Sequence, residues 1–279
     1  MGGLCFVLAL LPMLYFPALV PLFALVAGCA LIGFIDDVLA IRLGRNRGLR
    51  ARTKFLFTAL VAVMFLRAID ASTLTYPRDV LLIVAGHQLI APHWLWLILG
   101  IVAIAGTMHA VNLTDGLDGL ASGTMIFPLG VLAALGIFDF IGIVRSTELD
   151  GPILGFFRGA IPALLALGAC FGFLVYNRYP AKLIMGDTGS LALGALLSGI
   201  AILSGQMLLL IIIGFVFVAE ALSVMIQVVY FKLTHGKRIF KMSPLHHHFE
   251  LSGWPETKVT ARFWIASAVC SAVGLAIVR

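Results

Sequence analysis

Long apolar runs separated by short polar connections dominate the chain. Runs long enough to cross a bilayer occupy roughly 2–17, 18–35, 52–69, 93–111, 119–138, 159–176, 189–205, 207–231 and 259–278. They predict an all-α, polytopic membrane protein with about nine transmembrane helices. Pro12, Pro17 and Pro21 crowd the first boundary. Between the third and fourth runs, residues 72–91 read S-T-L-T-Y-P-R-D-V-L-L-I-V-A-G-H-Q-L-I-A. Their β-branched residues, interrupted by A-G-H, predict a small hairpin lying on the outer membrane surface. Residues 139–158, with Asp139, Glu148 and Asp150, read as a plain polar connection. No repeat or low-complexity segment marks a second domain, so 1–279 reads as a single integral membrane domain.

Composition sharpens the class. The chain is 61% hydrophobic and only 11% charged, with mean hydropathy +1.09, whereas soluble domains run near a quarter charged. A net charge of +6 would suit nucleic acid. The basic residues, however, fall in short clusters between apolar runs, as membrane loops do, so the partner expected is a lipid bilayer and no nucleic acid. Alternation of the runs puts the loops after the second, fourth, sixth and eighth on the face of the N-terminus. The opposite face keeps only Arg67, Arg78, Arg145, Arg158 and Arg279 of the 19 lysines and arginines. The first face, which holds Lys54 among many others, is therefore the cytoplasmic one. Cys5, Cys29, Cys170 and Cys270 lie inside apolar runs without CxxC spacing and read as small buried hydrophobes. The start, M-G-G-L-C-F, lacks the basic n-region of a cleavable signal.

The same alternation brings four polar clusters to the cytoplasmic helix ends, a convergence that fits an active site. Asp36 and Asp37 end the second run. Adjacent carboxylates disfavour each other's ionisation, so one of them can serve as a base; an ordinary acidic helix end is the other reading. N-L-T-D-G-L-D-G-L-A, from Asn112, offers hard oxygen ligands from Asp115 and Asp118, and Gly116 and Gly119 allow close backbone approach. Such ligands suit Mg²⁺ bridging phosphates; an Asx turn capping the next helix is the alternative. G-D-T-G-S, from Gly186, starts a helix that Thr188 or Ser190 can cap and whose free N–H groups favour an anion. Asp187 makes sense there if a divalent cation sits between it and a phosphate. His246, His247 and His248 are adjacent, a poor arrangement for Zn²⁺, and more naturally contact phosphate or orient a substrate. Glu220, mid-span, is either functional or satisfied by a buried hydrogen bond in a kinked helix, with Gln227 two turns on.

N-L-T-D-G-L-D-G-L-A, M-G-D-T-G-S-L-A-L-G and S-P-L-H-H-H-F-E, in that order, resemble the phospho-N-acetylmuramoyl-pentapeptide-transferase family along the whole chain. The histidine motif is the most specific of the three, because related polyprenyl-phosphate sugar-1-phosphate transferases share the aspartate motifs but not that pattern. The resemblance implies a ten-helix fold of the bacterial inner membrane, often a homodimer, with a cytoplasmic cleft. It implies transfer of phospho-MurNAc-pentapeptide from UDP-MurNAc-pentapeptide to undecaprenyl phosphate, giving lipid I and UMP, with Mg²⁺. By the matched motifs, Asp187 resembles the magnesium ligand, with Asp115 beside it. Asp36 and Asp37 resemble the acidic pair of which one deprotonates the lipid phosphate. Asn112, Asp115, Gly116, Leu117 and Asp118 resemble the nucleoside loop, Asn177, Gly186 and Lys54 count with the substrate-binding residues, and His246, His247 and His248 sit on the pyrophosphate side. Three positions depart from the family pattern. The family reads K-x-x-T-P-T-M-G-G where this chain begins at M-G-G, so nine spans replace ten and the N-terminal helix is expected to be missing. Ala40 stands where D-D-x-x-K has its lysine, and Ile184 where V-F-M-G-D has an aromatic that stacks on uracil. Against this reading stand a sister transferase using UDP-GlcNAc, an inactive truncated fragment, and a transporter with a metal-binding vestibule, whose ionisable residues would lie nearer the midplane.

Overall fold

The structure, a computed structural model, describes residues 2–42, 48–71, 78–144 and 156–278. Arg45, Arg47, Arg145, Glu148, Asp150 and Arg279 lie outside the described residues, as does the start of the predicted hairpin segment. Among the described residues seven helices are long and apolar enough to cross a membrane.

The first apolar run does not form one helix. Helix α1 (Leu4–Ala9) gives way to 3₁₀ turns at Leu11–Tyr15 and Pro17–Leu19. Pro12 and Pro17 cause the break: each lacks an amide donor and clashes with the turn before it. Helix α2 (Val20–Arg42) then runs unbroken. Helix α3 (Ala51–Asp70) has 20 residues, but Arg52, Lys54, Arg67 and Asp70 shorten its apolar stretch. Of the nine expected runs, seven are helices long and apolar enough to cross a membrane among the described residues, α3 is an eighth long helix of more polar character, and the first run is broken.

The predicted hairpin is present. Strands β1 (Val80–Val84) and β2 (His87–Ile90) pair antiparallel, with Val84 opposite His87. Ala85 and Gly86 turn the chain at φ 47° and 80°, a conformation that matches the twist of the paired strands. The Ala85 N–H donates to the Val278 carbonyl at 3.1 Å, and Gln206 Nε2 donates to the Ile83 carbonyl at 3.3 Å.

After the hairpin come α4 (His93–Thr114), launched behind Pro92, and α5 (Leu120–Val144). A π-helical turn (Phe156–Ala160) leads into α6 (Ile161–Asn177), with Pro162 in its first turn, where a missing N–H costs nothing. Helix α7 (Gly186–Leu203) is the axis of the bundle and packs most extensively on α2 and α4. Its sequence, GDTGSLALGALLSGIAIL, is built from small residues, so neighbouring backbones approach closely. A Cβ at Gly194 would stand 2.5 Å from the Met108 Cα. A short α8 (Leu210–Ile213) breaks at Gly214 before α9 (Phe215–Leu233). The short α10 (Leu245–Glu250) carries the histidines, and α11 (Glu256–Val278) ends the chain. Glu256 lies in the first turn of α11, where the helix dipole favours a carboxylate.

Burial separates these helices by environment. The apolar span of α7 is 89% buried, that of α9 only 28%. Cys29 and Cys170 are buried as expected, whereas Cys5 is exposed and Cys270 half-buried; all four are free.

Candidate functional site

The site forms where α7 begins, at the end of the bundle opposite the hairpin. Gly186 opens the helix at φ +71°, a left-handed conformation that glycine adopts without strain. The next residue is Asp187, and every residue from Thr188 to Leu203 is buried.

Asp37 reaches this helix start from α2. Its Oδ1 accepts the Asp187 N–H at 3.0 Å, and its Oδ2 accepts the Thr188 N–H at 3.1 Å and the Thr188 hydroxyl at 2.6 Å. The cap of α7 is therefore a carboxylate from another helix, in place of the Thr188 or Ser190 cap expected from sequence. The first free N–H groups, expected to attract an external anion, already hold an internal one.

Asp187 is held from two sides. Asn112, near the end of α4, donates Nδ2 to Asp187 Oδ1 at 2.7 Å and to Ser190 Oγ at 2.9 Å. Lys54, on α3, donates to Asp187 Oδ2 and to Asp36 Oδ2, the latter at 3.0 Å. Asp36 also accepts the Leu49 N–H. The two adjacent aspartates thus serve different partners, and the like-charge pair expected from sequence is split: Asp36 faces a cation and Asp37 a helix start.

The Asp115–Gly119 loop closes the site. Asp115 follows α4, and burial, then the charges of Asp187 and Asp37, push its carboxyl well above the usual carboxylate range; the Gly186 N–H pulls the other way. Leu117 is half-buried. Asp118 ties the loop to its neighbours: its N–H donates to Glu256 Oε1 at 2.7 Å, and its Oδ2 accepts the Ala181 N–H at 2.8 Å. Asn177, only 4% exposed, joins Gly119 N–H, Ser122 Oγ and the Leu183 carbonyl at 3.2, 2.9 and 2.9 Å. Asp118 and Asn177 therefore hold the loop together from inside the protein.

The three histidines face different ways. His246 is buried and faces the loop: a Cβ on Gly116 would lie 2.3 Å from its Nε2. His247 Nδ1 lies 2.7 Å from Glu250 Oε2, and His248 Nδ1 accepts the Lys241 N–H at 3.1 Å. Glu220, read from sequence as mid-span, meets His246: its Oε1 accepts the His246 N–H at 3.1 Å. Gln227, two turns on, clasps the connection to α10 through Ile239 N–H, Phe240 N–H and the Phe240 carbonyl.

A groove of about 790 Å³ leads to Lys54 and Asn112 between α3 and α4. Phe55, Leu56 and Ala59 line its apolar side, and Arg52 and His109 its polar side. His109, stacked on Phe55 and 3.2 Å from Thr58 Oγ1, was not singled out from sequence. The signal was there, since it precedes Asn112 by one helical turn on the same face.

Among the described residues no three His, Cys, Asp or Glu side chains are gathered tightly enough to hold a metal by themselves. The oxygen donors of Asp187 and Asp115 nevertheless suit Mg²⁺, which binds through one or two carboxylates, waters and substrate phosphates. Burial first, and then the charges of Asp187 and Asp37, raise Asp115, and a divalent cation would offset the repulsive part.

A family model described as glycosyl transferase family 4 matches residues 19–205. The chain is 42% identical over 268 residues to the phospho-N-acetylmuramoyl-pentapeptide-transferase of Cutibacterium acnes, covering 91% of this chain and 74% of that one. It is 48% identical over 241 residues to the protein of the same name from Halalkalibacterium halodurans, at 85% and 67% coverage. With that of Acetivibrio thermocellus it shares 40% identity over 285 residues, at 100% and 81% coverage.

Proposed function

The chain belongs to glycosyl transferase family 4 and, within it, to the phospho-N-acetylmuramoyl-pentapeptide-transferases, and from this we propose how its site works. It transfers phospho-MurNAc-pentapeptide from UDP-MurNAc-pentapeptide to a lipid carrier, undecaprenyl phosphate, giving lipid I and UMP in peptidoglycan synthesis. The observation that carries this is the gathering of Asp187, Asn112, Lys54, Asp36 and Asp37 at one helix start, at the polar end of an apolar groove.

The reaction joins a phosphate held at the headgroup layer to a water-soluble nucleotide. A helix-end site meets both demands. The lipid phosphate comes along the α3–α4 groove, with its chain against Phe55 and Leu56, and meets Lys54 first. Lys54 is also paired with Asp36, so of the acidic pair Asp36 is the one placed to exchange a proton with that phosphate. Asp37 is spent on the α7 cap and acts by fixing where Asp187 stands. Asn112 sets the orientation of Asp187 from the far side. Mg²⁺ is the proposed cofactor; Asp187 and Asp115 would hold it, and it would supply charge neutralisation of the diphosphate and of the leaving UMP.

The site face is proposed to be cytoplasmic. The termini that meet there carry Arg42, Arg50, Arg52, Lys54, Arg178, Lys182, Lys232, Lys258 and Arg262. At the other end the described residues carry Arg67, Arg78 and Arg158. This asymmetry supports that orientation in the bacterial inner membrane.

The test is UMP release by the purified chain in detergent with undecaprenyl phosphate and either UDP-MurNAc-pentapeptide or UDP-GlcNAc, with Mg²⁺ or EDTA. Release with the muramyl substrate alone, abolished by EDTA, is the expected result. Release only with UDP-GlcNAc assigns the chain to the sister activity and overturns the reading.

Ile184 gives a second check. It is 70% exposed just before the Gly186–Asp187 start, with room for a larger ring. Ile184→Phe is expected to lower KM for the UDP-sugar about tenfold with little change in kcat, as a base stacked on an aromatic ring gains about 1–3 kcal/mol. An unchanged KM would remove this position from the nucleotide site.

A further inference from the structure

Glu220 is completely buried on α9, and the nearest group that can answer its charge is His246, itself 1% exposed. Glu220 Oε1 accepts the His246 backbone N–H at 3.1 Å, and Oε2 stands 3.3 Å from His246 Nδ1. Glu220 Oε2 and both ring nitrogens of His246 are buried without a hydrogen bond, so the 3.3 Å approach is an ion-pair contact that falls short of hydrogen-bond geometry. A buried carboxylate is retained only where a donor meets it, because burying it unpaired costs several kcal/mol. The opposite edge of the ring faces the Asp115–Gly116 loop, where the Cβ position of Gly116 lies 2.3 Å from Nε2.

From this geometry we infer that Glu220 is the positioning residue of His246. It fixes the α10 backbone with one oxygen and, with the other, selects the imidazole tautomer that carries its proton on Nδ1. Nε2 is thereby left pointing at the nucleotide loop, with a lone pair or a second proton to offer a phosphate oxygen. The carboxylate–imidazole pair works as in any site where a buried acid orients a histidine: the acid touches no substrate but decides which ring nitrogen does what. Two features make the contact stiff. Pro244 launches α10, so the chain enters the helix with a fixed φ. Gln227 clasps Ile239 and Phe240, so the segment leading to the histidines is held to the same helix that carries Glu220.

This inference rests on the transferase reading, and its test is arranged to be read apart from it. Glu220→Gln keeps size and the acceptor for the His246 N–H but turns an amide NH₂ toward Nδ1, which must then accept and pass its proton to Nε2. Two measurements are made on parent and variant in detergent. One is steady-state UMP release. The other is the ¹⁵N spectrum of histidine-labelled protein, with the His246 signals assigned by their loss in His246→Asn. The expected result is a kcat lower by about 10–100-fold with KM for the UDP-sugar within about threefold, as for loss of a group that orients a functional histidine. In the spectrum the protonated nitrogen changes from Nδ1 to Nε2. Glu220→Asp, which restores the carboxylate, recovers part of the kcat. A purely structural Glu220 would leave both kcat and tautomer of the Gln variant at parent values, and either result overturns the inference. If the parent releases no UMP from UDP-MurNAc-pentapeptide, the transferase reading falls alone. The spectrum then decides by itself: a tautomer change in Glu220→Gln upholds the positioning role, and an unchanged one removes it.

Discussion

Asp187→Asn is expected to lower kcat for UMP release by about 10³-fold while the protein stays folded, the loss typical when a preorganised charge at the reacting phosphates is removed. Asparagine has the shape of aspartate but no charge. Oδ1 can still accept from Asn112, so the side chain stays in place. Lys54 loses one of its two carboxylates but keeps Asp36 at 3.0 Å. Little of the fold depends on the lost charge, whereas the cation site loses half of its proposed ligand charge. The measurement pairs initial rates with a melting curve in detergent. A variant that keeps a tenth of the parental kcat would remove Asp187 from the centre of the mechanism.

Asp37→Ala separates fold from chemistry in the opposite way. It removes the acceptor of the Asp187 N–H, the Thr188 N–H and the Thr188 hydroxyl at once. These donors sit at the part-buried start of a helix that is buried from Thr188 onward, so the lost oxygens are only partly replaced by water. The cost is about 3 kcal/mol, from hydrogen bonds to a charged acceptor together with loss of a cap. The melting temperature is expected to fall by about 5–10 °C, and activity to vanish because Asp187 is no longer fixed. Asp37→Asn, which keeps one acceptor, falls between. An alanine variant that melts with the parent would show that the cap contributes nothing to stability.

Much of the architecture was legible because apolar length is a one-dimensional signal. It misled at the first run, where hydropathy counts Pro12 and Pro17 as neutral while the backbone stops at them; the 52–69 run did form a helix, α3, with charged ends. The hairpin was legible because Ala-Gly interrupts a β-branched stretch at turn spacing. For the site, the residue types and the shared helix ends could be read, but the pairings could not. Asp36 and Asp37 looked like one electrostatic unit, yet neighbours on a helix point about 100° apart, so one meets α3 and the other α7. Glu220 looked stranded because its partner is 26 residues further on, across a turn of chain that no periodicity describes. Asp118 and Asn177 were read as substrate-binding residues, and the hydrogen bonds they make within the protein, to the Ala181 N–H and to Ser122, could not be read from sequence.

The burial of α7 has a consequence for how this protein lives with its lipids. A helix that touches other helices on all sides takes its length from the bilayer but nothing else. Changes in thickness, fluidity or headgroup charge press on the lipid-facing flanks of α9 and α11, whose apolar spans are 28% and 22% buried. They reach Asp187 only through the helices packed around it, α2 and α4 and, by way of Lys54, α3. The body of α7 is thereby shielded from the lipid in which the rest of the molecule is dissolved, while the lipid-exposed outer helices stay free to vary with the host membrane.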